Sequence, residues 1–263
     1  LASLGLMVAG VAHELNTPLG AAMLTLDRLS EAQAQFKTAM EAGLRKSDVE
    51  RLSTAFDEGL AMTSRYLSRG AEIIRQFKQV ASDRASAERR VFIANDVVRD
   101  VIHLMDSQIR QSAVNLALDL QADIELDSYP GVVGQVIQNL VQNALIHAFE
   151  TDASGVITIS MYANPESDTV VLTVTDNGKG IPAPLRERIW DPFFTTRRGE
   201  GGTGLGLHIV QRLVTELLGG TIIQGRPQQG DGCEFVVTIP KHAPPATEDP
   251  ASTATESRTS ANT

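Results

Sequence analysis

Asp191-Pro192-Phe193-Phe194-Thr195-Thr196-Arg197-Arg198-Gly199-Glu200-Gly201-Gly202-Thr203-Gly204-Leu205-Gly206-Leu207 is the stretch on which the fold turns. Four glycines stand in the six residues 201–206, and the apolar spacing that follows predicts a helix from about Gly204 to Leu218. A glycine-rich loop running into a helix supplies unhindered backbone N–H groups and a positive helix end, which suit a chain of phosphates. The spacing is not the GxxxxGK[ST] of P-loop proteins, and a Rossmann GxGxxG after a first strand does not fit either. The glycines between Phe194 and Thr203 read as a mobile lid over a nucleotide.

Working outward, Thr175-Asp176-Asn177-Gly178-Lys179-Gly180-Ile181 stands at a predicted strand end. A carboxylate followed by glycines fits a base-binding site in which the aspartate accepts from an exocyclic amine. It fits a plain loop after a strand equally well. Pro130 to Phe149 predicts an amphipathic helix, with Ile137, Val141, Ala144 and Ala148 on its buried face. Its polar stripe is Asn139, Asn143 and His147, spaced i, i+4, i+8. An amide oxygen is a hard, neutral ligand for a Mg²⁺ ion that already carries phosphate oxygens. A merely solvated face would normally hold Lys or Glu, and this stripe has neither.

The surrounding pattern is mixed α and β. Val91–Ile93, Val114–Leu120, Val156–Tyr162, Thr169–Thr175, Thr221–Gln224 and Glu234–Ile239 read as strands. Asn95 reads as the cap of a helix from Asp96 to about Gln111. Residues 243–263 carry Ala, Pro, Ser, Thr and acid without periodicity, and read as a disordered tail. Upstream, the polar connector Ser82–Arg90 marks the domain boundary, giving a helical domain over 1–85, a linker at 86–90 and an α/β domain over 91–242.

In the helical domain, Leu4, Val8, Val11 and Leu15 follow a 4-3-4 seam. Pro18 is expected to kink that helix, and the seam to resume with Leu19, Ala22, Leu26, Leu29, Phe36 and Met40, shifted in phase. After a break near Gly43, with Ser47 as the next N-cap, a second helix carries Leu52, Phe56, Leu60, Leu67, Ile74 and Phe77. One hairpin cannot cover both apolar stripes, so a second copy completing a four-helix bundle is expected. His13 lies off the seam beside Glu14, with Thr17 one turn on; by itself it reads as an exposed polar residue or as a functional one.

The 263 residues carry a net charge of −9, which argues against a nucleic-acid surface. A lone Cys233 fits a reducing compartment. No apolar run approaches the ~18 residues of a membrane span, and no signal peptide is evident. Opening on Leu1 inside a helical pattern, the chain reads as a fragment. Membrane attachment is expected only through a region upstream, and the compartment is expected to be the cytoplasm.

Taken together, the asparagine stripe, DNGKGIP, DPFFTT and GGTGLGL resemble the ATP-binding domain of sensor histidine kinases in the GHKL superfamily. HELNTPL resembles their phosphoacceptor box. The resemblance covers residues 1 to about 240. It implies a dimeric helical hairpin followed by an α/β sandwich with a mixed sheet, with ATP and Mg²⁺ as cofactors and a response-regulator receiver domain as partner. Carried over residue by residue, it makes His13 the phosphoacceptor, Glu14 the adjacent base and Thr17 the residue serving dephosphorylation of the partner. Asn143 would hold magnesium, with Asn139 and His147 lining the phosphate side, while Asp176 would read adenine beside Gly178, Gly180 and Ile181. Phe193, Phe194 and Thr195 would anchor the lid that carries Arg197 and Arg198. Gly202, Thr203, Gly204, Leu205, Gly206 and Leu207 would form the second glycine box.

Many members of the family carry Lys or Arg three residues after the magnesium asparagine, where this chain has Ile146. Phosphate charge is then expected to fall to His147, Arg197 or Arg198. Gyrase, mismatch-repair and chaperone ATPases of the superfamily place a general-base glutamate four residues before that asparagine, whereas this chain has Asn139. A degenerate docking module or an adaptor phosphotransfer protein would have no need of intact nucleotide motifs. The resemblance therefore implies autophosphorylation on His13 and phosphoryl transfer to a receiver aspartate.

Overall fold

The computed structural model describes residues 2–82, 88–150, 153–197, 202–225 and 231–245. Two compact units divide the chain, Leu1–Ser82 and Asp83–Thr263.

The first unit is a helical hairpin of α1 (Ala2–Ala42) and α2 (Lys46–Ser82). Along α1 the covered positions are Val11, Leu15, Pro18, Ala22, Thr25, Leu29, Ala32, Phe36 and Ala39. That is a continuous alternation of four and three, so the seam crosses Pro18 without the expected phase shift. Leu19, Leu26 and Met40, read as seam positions, are 46%, 49% and 59% exposed and form a second apolar stripe. The same correction holds on α2: Leu52 is half-buried, whereas Phe56, Leu60, Leu67 and Ile74 are exposed. The seam of α2 runs instead through Ala55, Gly59, Met62, Tyr66 and the fully buried Ile73. A Cβ on Gly59 would stand 2.6 Å from Leu29 Cδ2, so a glycine lets the leucine lie against the helix backbone. Which residues are covered follows the phase of each helix against its neighbour rather than side-chain size. The turn also differs. Asp48, rather than Ser47, does the capping: its carboxylate accepts the Arg45 backbone N–H at 3.1 Å while Asp48 N–H returns to the Arg45 carbonyl at 3.0 Å.

The second unit is an α/β sandwich. Its five-stranded sheet runs β2 (Val114–Leu120), β4 (Gly155–Asn164), β5 (Thr169–Asp176), β7 (Cys233–Pro240), β6 (Thr221–Gly225). The β2–β4 pair is parallel and the other neighbours are antiparallel, so the sheet is mixed. One face buries Ile157, Ile159 and Met161 of β4, Val170, Leu172 and Val174 of β5, and Phe235, Val237 and Ile239 of β7. Against them lie the apolar faces of α3 (Ala94–Gln111), α4 (Pro130–His147) and α5 (Gly206–Arg212). Ile137 and Val141 of α4 are fully buried, and Ala144 and Ala148 nearly so.

A separate two-stranded sheet pairs β1 (Arg90–Ile93) with β3 (Glu125–Ser128). β3 was not foreseen, because four polar-rich residues ending one short of Pro130 carry too little alternation. Asn95 is not a helix cap. It is buried within the first turn of α3, where its amide donates to Gln121 O at 2.7 Å and accepts from Ile124 N–H at 3.1 Å. The helix expected over 204–218 begins two residues later and passes into a π turn at Leu213–Leu217, with left-handed Gly219 closing it. Of the expected tail, residues 243–245 are packed rather than loose. Ala243 is 2% exposed, its N–H reaches Asp127 O at 2.9 Å, and the buried Tyr129 hydroxyl donates to Pro244 O at 2.9 Å. Residues 246–263 lie outside the described residues.

Candidate nucleotide-binding site

Asp176 ends β5 with its carboxylate 7% exposed. Both hydrogen bonds made to it fall on Oδ1, from Gly178 N–H at 3.0 Å and Cys233 N–H at 3.2 Å. No hydrogen bond to Oδ2 comes from the described residues. Burial pushes the carboxyl above the usual aspartate range, and the two N–H donors pull it back part of the way. The loop around it exists only because its glycines lack a Cβ. One on Gly178 would lie 2.3 Å from Ala148 O, and one on Gly232 would lie 2.1 Å from Asp176 O. Gly180, at φ +67°, approaches Gly232 O in the same way. Ile181 is half-buried, and its carbonyl accepts the Arg186 Nε–H at 3.2 Å.

The asparagine stripe of α4 faces the start of α5. A Cβ on Gly206 would meet Asn143 Oδ1 at 3.2 Å and Asn139 Oδ1 at 3.6 Å, so both amides border the glycine loop. Asn139 donates to Gln135 O of its own helix at 3.0 Å, whereas the Asn143 amide nitrogen is buried with no partner. Among the described residues no group of three His, Cys, Asp or Glu could hold a metal ion. A magnesium ion would therefore fit here only as one carried on phosphate oxygens, with Asn143 as its protein oxygen.

The lid's first segment is tied to that loop. Phe193, at φ +65°, donates its N–H to Gly204 O at 2.8 Å, and a Cβ on Gly204 would lie 2.4 Å from the Phe193 carbonyl carbon. Arg188 stacks its guanidinium 4.5 Å over the Phe194 ring. A Cβ on Gly202 would strike Thr195 Oγ1 at 2.3 Å and approach His147 Cε1 at 3.3 Å. Thr203 and Leu205 are buried and Leu207 half-buried, so the last two anchor the loop through the core. Arg197 donates to Phe149 O at 2.7 Å. His147 is shifted toward its neutral form by burial first, then by Arg197 and Lys179. Arg198 lies outside the described residues.

Contacts tie α4 to the loops on either side of it: Gly178 to Ala148, Gly202 to His147, and Gly206 to Asn143 and Asn139. His13, Glu14 and Thr17 belong to α1 of the other unit; Thr17 is exposed, and the His13 and Glu14 side chains lie outside the described ones. Reading along the chain missed Gly232 and Cys233, which reach Asp176 only through β5–β7 register. It also missed Trp190, which packs edge-on against Phe235 at 5.9 Å. Nothing local signals them, since their roles come from strands far apart in sequence.

Residues 130–243 match the family of histidine kinase-, DNA gyrase B-, and HSP90-like ATPases. The catalytic domain of histidine kinase ThkA is 30% identical, with a TM-score of 0.51; the match covers 99% of that domain and 60% of this chain. The sensor protein kinase PilS of Pseudomonas aeruginosa is 30% identical over 240 residues, which cover 91% of this chain and 41% of PilS. The chain belongs to the sensor histidine kinases. ThkA in complex with the response regulator protein TrrA matches 92% of this kinase at 26% identity with a TM-score of 0.62, which spans both units. RcsC of Escherichia coli is 28% identical over 244 residues, 23% of its length. This kinase thus spans less than half the length of PilS or RcsC. Its α/β unit is an ATP-binding one by family. Among the described residues no helix is long and apolar enough to cross a membrane.

Proposed function

We propose that this chain is the core of a two-component kinase that phosphorylates its own His13 from ATP and passes the phosphoryl group to an aspartate of a response-regulator receiver domain. Residues 1–85 would serve as the dimerisation and phosphotransfer hairpin and 91–242 as the catalytic domain, joined at 86–90. Asp176 orients adenine, and the loop 202–206 receives the phosphate chain on its N–H groups. Asn143 would hold Mg²⁺ through its amide oxygen, and the ion would supply charge neutralisation for the transferring group. As a His13 ring nitrogen bonds to the γ-phosphorus, the bond to the β,γ-bridging oxygen breaks, ADP leaves and the imidazole proton passes to Glu14. Thr17, exposed one turn further along α1, would serve dephosphorylation of the partner, in which water takes the phosphoryl group from the receiver aspartate and inorganic phosphate leaves.

One observation carries this reading above hydrolysis. The position from which a base would activate water is Asn139, whose amide cannot take a proton and is bonded to its own helix at Gln135 O. That position therefore offers no base for water, which favours the imidazole as nucleophile. Exposed apolar stripes on both helices, Leu19 and Leu26 on α1 with Leu60, Leu67 and Ile74 on α2, support a homodimer closed through the hairpin.

Incubation with γ-labelled ATP and Mg²⁺ tests it. Acid-labile, alkali-stable label on the wild type and none on His13→Gln is the expected result, followed by transfer to a receiver domain. Label surviving in His13→Gln would remove His13 as acceptor.

A further inference from the structure

At the C-terminal end of α4 two cationic loops meet one carboxylate. Lys179 donates its backbone N–H to Ala148 O at 3.0 Å, and Arg197 donates a guanidinium N–H to Phe149 O at 2.7 Å. Both thereby sit at the negative end of the helix. Between them stands Glu150, with Oε1 3.1 Å from Lys179 Nζ and Oε2 3.8 Å from Arg197 Nη2. The Lys179 hydrogen bond, and then both charges, hold the Glu150 carboxyl below the usual range, so it is an anion at neutral pH. Its side chain is nevertheless 75% exposed, and an exposed pair of this kind adds little to stability. The fold therefore does not need this carboxylate, yet two cations are gathered on it.

The location gives the arrangement a use. Gly202 of the glycine loop donates its N–H to Arg197 O at 3.3 Å, and Lys179 stands between Gly178 and Gly180, so both cationic residues belong to the loops that border the proposed phosphate site. Ile146 carries no charge, and burial with Arg197 and Lys179 nearby shifts the His147 imidazole toward neutrality. Among the described residues beside this end of α4, Lys179 and Arg197 are cationic, and both pair with Glu150.

We propose that Glu150 is a stand-in anion for the ATP triphosphate: Lys179 and Arg197 rest on its carboxylate and exchange it for phosphate oxygens when the nucleotide binds. No covalent step is involved, only a competition between two anions for one pair of cations. This inference rests on the ATP-binding reading of the cleft and adds which side chains grip the phosphates and what restrains them beforehand.

Equilibrium binding of ATP and of adenosine to the full chain tests it, using the wild type, Glu150→Gln, Lys179→Gln and Arg197→Gln. Glu150→Gln is expected to tighten ATP about threefold, while Lys179→Gln and Arg197→Gln each weaken it about five- to tenfold. Adenosine, which lacks phosphates, should bind all four proteins alike. Unchanged or weaker ATP binding by Glu150→Gln overturns the exchange. Equal loss of ATP and adenosine in the two cation variants also overturns it, since a merely structural role moves both ligands. A wild type that binds neither ligand removes the ATP reading itself, and the exchange with it; a wild type that binds ATP while the variants follow it removes the exchange alone.

Discussion

Replacing Asp176 by Asn changes one atom and keeps the shape, which makes it the most direct probe of the cleft. The retained Oδ1 still accepts from Gly178 and Cys233 at about their present 3.0 and 3.2 Å. What changes is Oδ2, which becomes an NH₂ group facing the exocyclic amine of adenine, a donor against a donor. A hydrogen bond to a charged acceptor contributes about 1.5–3 kcal/mol, so ATP affinity should fall about 10- to 150-fold. Fold stability should move by no more than about 1 kcal/mol. Weaker acceptance from two N–H groups is offset by no longer burying a charge, the cause that raises this carboxyl. The raised value also fixes the sign of two pH effects. The folded chain holds this proton to higher pH than the unfolded one, so the contribution of Asp176 to stability declines as pH rises through that window. Adenine recognition needs the ionised form, so acidification should weaken ATP at a higher pH than an ordinary aspartate would. Calorimetric titration of ATP between pH 4 and 8, on wild type and Asp176→Asn, measures both, with thermal unfolding as the control. Wild-type affinity in Asp176→Asn, or an equal loss of affinity and of folding, would refute the assignment.

Further outcomes follow from contacts elsewhere. Gly178→Ala places a methyl 2.3 Å from the Ala148 carbonyl oxygen, so the loop must leave α4; ATP binding should be lost with about 1–3 kcal/mol of stability, read by titration and urea unfolding. Asn95→Ala strands Gln121 O and Ile124 N–H and should cost about 2–4 kcal/mol in the α/β unit while leaving the cleft residues untouched, measured by chemical denaturation. The pair Leu60→Glu and Ile74→Glu puts charge on side chains 59% and 55% exposed in one chain, so helicity should persist while sedimentation shows monomers. Loss of helicity in that double variant would make the stripe part of the hairpin's own core instead.

Most of the sandwich was legible before any coordinates, because its strands alternate with period two and α4 carries a clean apolar face. β2 was read to the residue, and β4 to β7 to within two residues at each end. The cleft was legible as a set of residue types, since glycine, asparagine and aspartate at those spacings answer to phosphate, metal and base. Three things were decided only by tertiary packing. The hairpin seam fell on Pro18, Thr25 and Gly59 rather than on the larger Leu26 and Leu60, because the phase in which the two helices meet, not side-chain size, decides which positions are covered. Asn95 became a buried tether rather than a cap, because β1 and β3 bring the 121–124 loop over it. Asp176 acquired its second donor from Cys233, 57 residues away, through strand register that no local pattern encodes. Periodicity and residue chemistry are local properties and can be read along a chain, whereas partners such as Cys233 for Asp176 exist only once the sheet has closed.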